Sequence, residues 1–321
     1  MASDATLLIG LDEAGYGPNL GPLVVGASAW RVSGAPPVDL YDLLSDGITC
    51  DPSEAPDKLL IADSKSVYKP GGGLAGLERV VLPACESARD WRSLIKQLQA
   101  DPFGAHDRAP WRTGFNASLP IDADPNDIAS SHDALRSCCE SEGVAMPQLQ
   151  ARLVFPEEFN ELVDQHGTKG AALSHVTLGL LRGLLDQLDW LAGDQGPMIE
   201  VTLDKHGGRN RYGALVQHWL PEMPLAILEE SRPISRYRVG ERLTLTFRSK
   251  GEAEAPVALA SMTAKYLREV SMKGFNAYWS EQVHGLKPTA GYPVDAKRFK
   301  AEIAPKQATL GITDHVLWRC R

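Results

Sequence analysis

Apolar residues recur along the chain with two different periods. Near the start, ATLLIGL (residues 5–11) and PLVVGASAWRV (22–32) are short runs rich in Leu, Val and Ile, separated by a turn crowded with Gly and Pro. That pattern predicts two strands joined as a hairpin, the first delivering Asp12 and Glu13 at its end. MIEVTLDKHGG (198–208) repeats the arrangement, a strand that delivers Asp204 into a glycine-bearing loop. In RLTLTFR (242–248), Leu243, Leu245 and Phe247 alternate with Thr244, Thr246 and Arg248, which predicts a half-buried antiparallel strand with a polar, basic outer face.

The helical period is clearest where Leu173, Val176, Leu180, Leu181, Leu184, Leu188 and Leu191 line up in steps of three and four. A second helix is predicted from Pro256, a residue suited to the first helical turn, through the Ala- and Leu-rich stretch to Trp279. On it Ser261, Lys265, Arg268 and Glu269 share one face. Residues 75–98 read as partly helical. Residues 100–150 have weak periodicity and many Asp, Ser and Pro, and read as a loop-rich, acidic insertion. Strands and helices are mixed, so an α/β fold around a mixed central sheet flanked by helices is expected, as a single domain over 1–321 with a C-terminal extension from about residue 275.

Charge changes this picture mainly through its location. The chain of 321 residues carries a formal charge of −8. Residues 100–165 hold twelve acids against four arginines, so the rest is neutral. Between Ser231 and Lys250, Arg232, Arg236, Arg238, Arg242, Arg248 and Lys250 face Glu241 alone, which is either a polyanion-binding face or an ordinary solvated strand pair. Five cysteines fit neither a disulfide framework nor a paired zinc motif, and all are expected to be reduced. No run approaches the roughly 18 apolar residues of a membrane helix, and the opening lacks a basic leader, so a cytoplasmic protein with no membrane partner is expected.

The candidate chemistry lies in the acids. Asp12, Glu13 and Asp204 end strands, and Glu269 lies on a polar helix face. Singly, each fits a solvated or capping role. Together, beside segments able to hold a phosphodiester, they suggest carboxylates gathered around Mg²⁺ or Mn²⁺. Like charges this close repel strongly unless a cation joins them.

IGLDEAGYGPNLGPLVVGA resembles the opening signature of the type 2 ribonuclease H family, ribonucleases HII and HIII, with its Asp-Glu-Ala-Gly, Gly-x-Gly turn and Gly-Pro. ADSKSVYKP is similar to the family's Asp-Ser-Lys loop, and VTLDKHGG stands in the place of its third acid. SKGEAEAPVALASMTAKYLRE is similar to its Lys-Gly-Asp segment, Ala-Ser-x-x-Ala-Lys helix and Arg-Asp ending. The resemblance implies a ribonuclease H-like fold in which Asp12, Glu13, Asp204 and Glu269 form a catalytic metal site for Mg²⁺ or Mn²⁺. It also implies that Gly15, Tyr16, Gly17, Ser64 and Lys65 meet the nucleic acid, with Tyr292 as the substrate-side tyrosine. The implied activity is two-metal hydrolysis of the RNA strand of an RNA/DNA hybrid or an RNA-containing duplex, leaving 3'-hydroxyl and 5'-phosphate ends. Another nucleic-acid substrate, or binding without cleavage, are the alternatives.

This chain departs from the family in places. Tyr16 stands where ribonuclease HII carries Arg, and a phenol ring can stack on a sugar or base but offers no guanidinium fork. Glu269 is longer than the family's Asp. The loop KHGGRNRYG is rich in bases, so Lys205, Arg209 and Arg211 either bind phosphate or coat the surface. Lys265 either offsets charge on the reacting phosphate or pairs with Glu269 one turn on. His206 either helps proton transfer or is an ordinary loop histidine. Residues 100–150 match nothing in the family pattern and are a partner-binding element or a solvated excursion.

Overall fold

The computed structural model describes residues 5–55, 57–69, 71–85, 88–101, 109–188 and 196–319. Among the described residues the chain builds one seven-stranded mixed sheet and a short two-stranded pair. The strands are β1 (Ala5–Ala14), β2 (Leu23–Ser33), β3 (Ile48–Thr49), β4 (Leu59–Leu60), β5 (Gln148–Val154), β6 (Met198–Asp204), β7 (Leu225–Glu230), β8 (Ile234–Val239) and β9 (Leu243–Arg248). The large sheet runs β5-β2-β1-β6-β9-β8-β7, and β3 pairs with β4 separately.

The predicted hairpin is present, β1 and β2 running antiparallel with Ala5 opposite Ser33 and Ala14 opposite Val24. At the centre β1, β6 and β9 are mutually parallel, so their carboxyl ends emerge on one edge. Leu11 lies opposite Leu203 and Asp204 opposite Arg248. One residue beyond Leu11, Asp12 therefore stands beside Asp204 on a strand about 4.8 Å away.

The helix Ala255–Gln282 crosses one face of the sheet at backbone distance. A Cβ at Gly10 would lie 2.1 Å from the Pro256 carbonyl carbon, and one at Gly26 would lie 2.3 Å from the Ala260 oxygen. Only glycine admits that approach. The other face is covered by Lys169–Gln187 and Gly213–Trp219, whose Leu178, Leu181, Leu184 and Val216 pack on Ile9, Val201 and Leu245. Beyond the sheet, the helix Pro293–Thr309 and the turn Asp314–Leu317 close a separate apolar cluster with Trp111, Phe275 and Trp279.

Two expectations change. Residues 100–150 are not a mere loop: they include the helix Pro125–Ser141, capped by Asp124, and lead into the edge strand β5. Only Leu135 and Cys139 of that helix are buried, which is why its period is faint. β9 is an interior strand, parallel to β6 and antiparallel to β8, with Thr244 and Thr246 themselves buried. The leucine helix is described to Gln187, and Leu191 lies outside the described residues. Cys50, Cys85, Cys138 and Cys139 are free thiols, while Cys320 is outside the described residues.

Candidate active site

The parallel strands bring the acids to one place. Asp12 is pushed up to about 7, chiefly by burial, with the charges of Asp204 and Glu252 adding to it. A Ser261 hydrogen bond and the Glu13 backbone N–H, 2.8 Å from Oδ1, resist that rise. Glu13 is pushed up to about 8 by burial and then by Asp12 and Asp204, with Lys65 the opposing cation. Asp204 is also raised, first by burial and then by Glu252, against backbone N–H donors that include Gly251 at 3.3 Å. Four carboxylates from three segments thus repel one another in a poorly solvated spot. Such a set of hard oxygen donors suits a divalent ion such as Mg²⁺ or Mn²⁺, which takes a few carboxylates and keeps waters.

Glu252 is a further acid at this site, one that no strand end or helix face in the sequence marks out. It sits in the Gly251–Ala253 turn, entered through Lys250 in a left-handed conformation at φ 62°. The signal was present, because Glu252 occupies the acid position of the Lys-Gly-Asp segment.

Glu269, expected as the fourth ligand, lies elsewhere. Ser261 touches Asp12, and Glu269 is eight residues further along the same helix, about 12 Å away. Its carboxylate accepts from Lys265 at 2.7 Å, Tyr68 at 2.9 Å and Arg268 at 3.2 Å. Burial would raise its pKa, but Lys265 and Arg268 outweigh burial and hold it below the usual range. Lys265 also lies 4.5 Å from the Tyr68 ring centroid, so it forms the structural pair rather than a free cation.

The Asp-Ser-Lys loop is fastened to the site. Asp63 caps the helix Ser64–Val67, and buried Ser64 lies 3.1 Å from Ser261 Oγ. Ser64 therefore buttresses the side chain that holds Asp12, while Lys65 is exposed and turns its charge toward Glu13.

The Gly15–Gly17 turn is shaped by close packing. Gly15 has φ +83°, and a Cβ there would lie 2.5 Å from Arg268 Nε. Tyr16 is half-buried against the cluster of Leu23, Val25, Phe159 and Leu173, its hydroxyl reaching toward Gly170. The ring thus props the turn from beneath. Gly17 is exposed and faces Tyr292, a residue that is itself 53% exposed. Asn19 and Leu20 donate to the Gly291 carbonyl at 2.8 and 3.3 Å, which fixes Tyr292 against the turn.

The loop after Asp204 is tied to segments remote in sequence. Lys205 donates to Asn210 at 3.0 Å, to the Ser231 carbonyl at 2.7 Å and to Ser235 at 2.9 Å, so its ammonium braces the loop against two neighbouring segments. His206 is buried beside Ser174, 3.0 Å away, and burial pushes it down to about 3. It is therefore neutral near neutral pH. Arg209 leans over the Tyr212 ring at 5.9 Å, and exposed Arg211 approaches Glu230 at 3.7 Å. His175 is a structural histidine, its Nδ1 accepting from Trp219 at 3.2 Å. On the outer face of β8, Arg236 and Arg238 line a cleft of about 910 Å³ that also holds Asp39, Asp42, Glu200 and Glu254, so that face is mixed and not uniformly basic.

No family model and no curated protein matches the chain. Solved structures do. Ribonuclease H2 from Pyrococcus horikoshii OT3 is 17% identical over 98% of this chain and 92% of its own, with a TM-score of 0.47. Ribonuclease HII of Archaeoglobus fulgidus, determined in complex with PCNA, is 15% identical over 98% and 94%, with a TM-score of 0.47. A Bst ribonuclease HIII in complex with Mn²⁺ is 14% identical over 99% and 67%, with a TM-score of 0.43. The chain resembles these ribonucleases H2, HII and HIII over nearly its whole length.

Proposed function

We propose that the chain is a divalent-metal-dependent endoribonuclease, cytoplasmic, that cuts the RNA strand of RNA/DNA hybrids or RNA-containing duplexes and leaves 3'-hydroxyl and 5'-phosphate ends. The observation that carries this reading is the convergence of Asp12, Glu13 and Asp204, with Glu252 beside them, where burial and then neighbouring carboxylate charge raise Asp12, Glu13 and Asp204. Mg²⁺ or Mn²⁺ held by these acids would supply an activated water and stabilise the leaving 3'-oxygen.

The chain's own residues prepare the ground. Ser261 and the Glu13 N–H orient the Asp12 carboxylate, and Gly251 orients Asp204. Lys65, exposed beside Glu13, is the cation placed to meet a phosphate of the strand. The bare backbone of Gly17 and the half-exposed Tyr292 ring form a shallow wall suited to sugar and base. Since Tyr16 packs inward, no guanidinium from that position grips a DNA–RNA junction, so continuous hybrid is the preferred substrate over a single embedded ribonucleotide.

A cleavage assay with Mg²⁺ and with Mn²⁺ tests the reading on labelled RNA/DNA hybrid, duplex DNA with one ribonucleotide, and plain duplex DNA. Cleavage of hybrid, lost in Asp12→Asn, is expected. Cleavage of plain DNA would move the assignment to another two-metal nuclease, and cleavage of nothing, with duplex still bound in the presence of metal, would leave a non-cleaving binding protein.

A further inference from the structure

Arg319 is fully buried, and among the described residues Nε, Nη1 and Nη2 of its guanidinium all lack a hydrogen-bond acceptor. Its backbone is tightly held: its N–H donates to the Asn19 carbonyl at 2.9 Å, and its carbonyl accepts from Asn19 Nδ2 at 3.1 Å. Asn19 donates in turn to Gly291, next to Ala290, whose carbonyl accepts from Arg268 Nη2 at 2.8 Å. Arg268 is 1% exposed, and its Nε is also without an acceptor. Two buried arginines are therefore held by one short bracket of backbone, Arg319 through its main chain and Arg268 through Nη2, with the whole Arg319 guanidinium and Arg268 Nε unused.

Only part of this charge is answered. Glu269 lies 3.2 Å from Arg268 Nη1, and the Phe159 ring lies 5.0 Å beneath the Arg319 guanidinium carbon. A ring face attracts a cation but accepts no array of N–H bonds. A buried charged group with a full set of idle donors is too costly to be left so, and an enclosed water would fill an acceptor role without offsetting the charge.

We propose that Arg319, together with Arg268, binds a small inorganic anion, chloride or a phosphate-class oxyanion, behind the turn formed by Gly15 to Leu20. Lys169 is a third cation in range, since burial and then the Arg319 charge depress its pKa. Burial pushes Arg319 down to about 9, so it is still protonated at neutral pH. The bound anion ties the C-terminal segment to the turn that follows Asp12 and Glu13. This inference stands whether or not the chain is a nuclease.

Thermal unfolding of the full chain is measured as sodium chloride, and separately sodium phosphate, replaces sodium gluconate at constant ionic strength. At least one anion raises Tm saturably, by about 2 °C or more. The rise disappears in Arg319→Met, which keeps the length of the side chain and loses its donors. Because that variant could fold poorly, crystals of the parent are grown in bromide or selenate, matching the stabilising anion. An anomalous peak beside the Arg319 guanidinium is expected. A Tm indifferent to both anions, an undiminished rise in Arg319→Met, or a site holding only water overturns the proposal.

Discussion

At the scale of single residues, Glu252 and Glu269 make the sharpest contrast. Glu252 adds its charge to Asp12 and Asp204, whereas Glu269 neutralises Lys265 and Arg268. Glu252→Gln removes a proposed metal ligand, so activity on RNA/DNA hybrid should fall by about 100-fold or more while the urea midpoint in EDTA holds or rises. Glu269→Gln leaves two cations short of their counter-charge and should cost about 2 kcal/mol or more of stability, with activity per folded molecule changing less than tenfold. Urea unfolding and single-turnover cleavage on both variants separate the two roles, and a reversed pattern would return Glu269 to the site. Asp12, Glu13 and Asp204 were legible in the sequence because each ends a strand. Glu269 misled because it shares a helical face with Ser261, and a shared face says nothing about distance along the axis. The tethering of Lys205 and the burial of His206 were illegible for a related reason: their partners Ser231, Ser235 and Ser174 come from remote segments.

At the scale of elements, the site depends on how closely the helix Ala255–Gln282 lies on the sheet. Its first turns rest against the backbone of β1 and β2 at Gly10 and Gly26, and those turns carry Ser261 and follow directly on Glu252. Gly26→Ala places a methyl carbon 2.3 Å from the Ala260 oxygen, with backbone rather than a flexible side chain in the way. The helix must lift, so a loss of about 3 kcal/mol is expected, together with weaker cleavage as Ser261 withdraws from Asp12. A Gly26→Ala protein as stable and active as the parent in urea titration and cleavage assay would contradict that packing. Strong periods made β1, β2, β6 and the two long helices readable in advance. Pro125–Ser141 escaped because it buries two side chains, and the interior place of β9 escaped because its alternation describes a half-buried strand while Thr244 and Thr246 are covered by tertiary packing.

At the scale of the whole molecule, the acids couple stability to pH and metal. Asp12 and Glu13 keep their protons to about 7 and 8 in the folded chain, whereas the unfolded chain releases them near pH 4. Between those limits the metal-free folded protein binds more protons than the unfolded chain, so stability is lost as pH rises. His206 works in the opposite sense: it stays neutral to about 3 when folded, so its contribution is complete above about 6.5 and is lost as pH falls below that. From pH 6.5 to 8.5 the acids act without it. In EDTA the urea unfolding free energy should therefore fall across this window by on the order of 1 kcal/mol, and Asp12→Asn should flatten the fall. A divalent cation binds the ionised acids, so stabilisation by MgCl₂ should grow over the same window as proton competition fades. Metal-free stability that climbed between pH 6.5 and 8.5, in the parent and in Asp12→Asn alike, would mean that these carboxylates are ionised and compensated without metal.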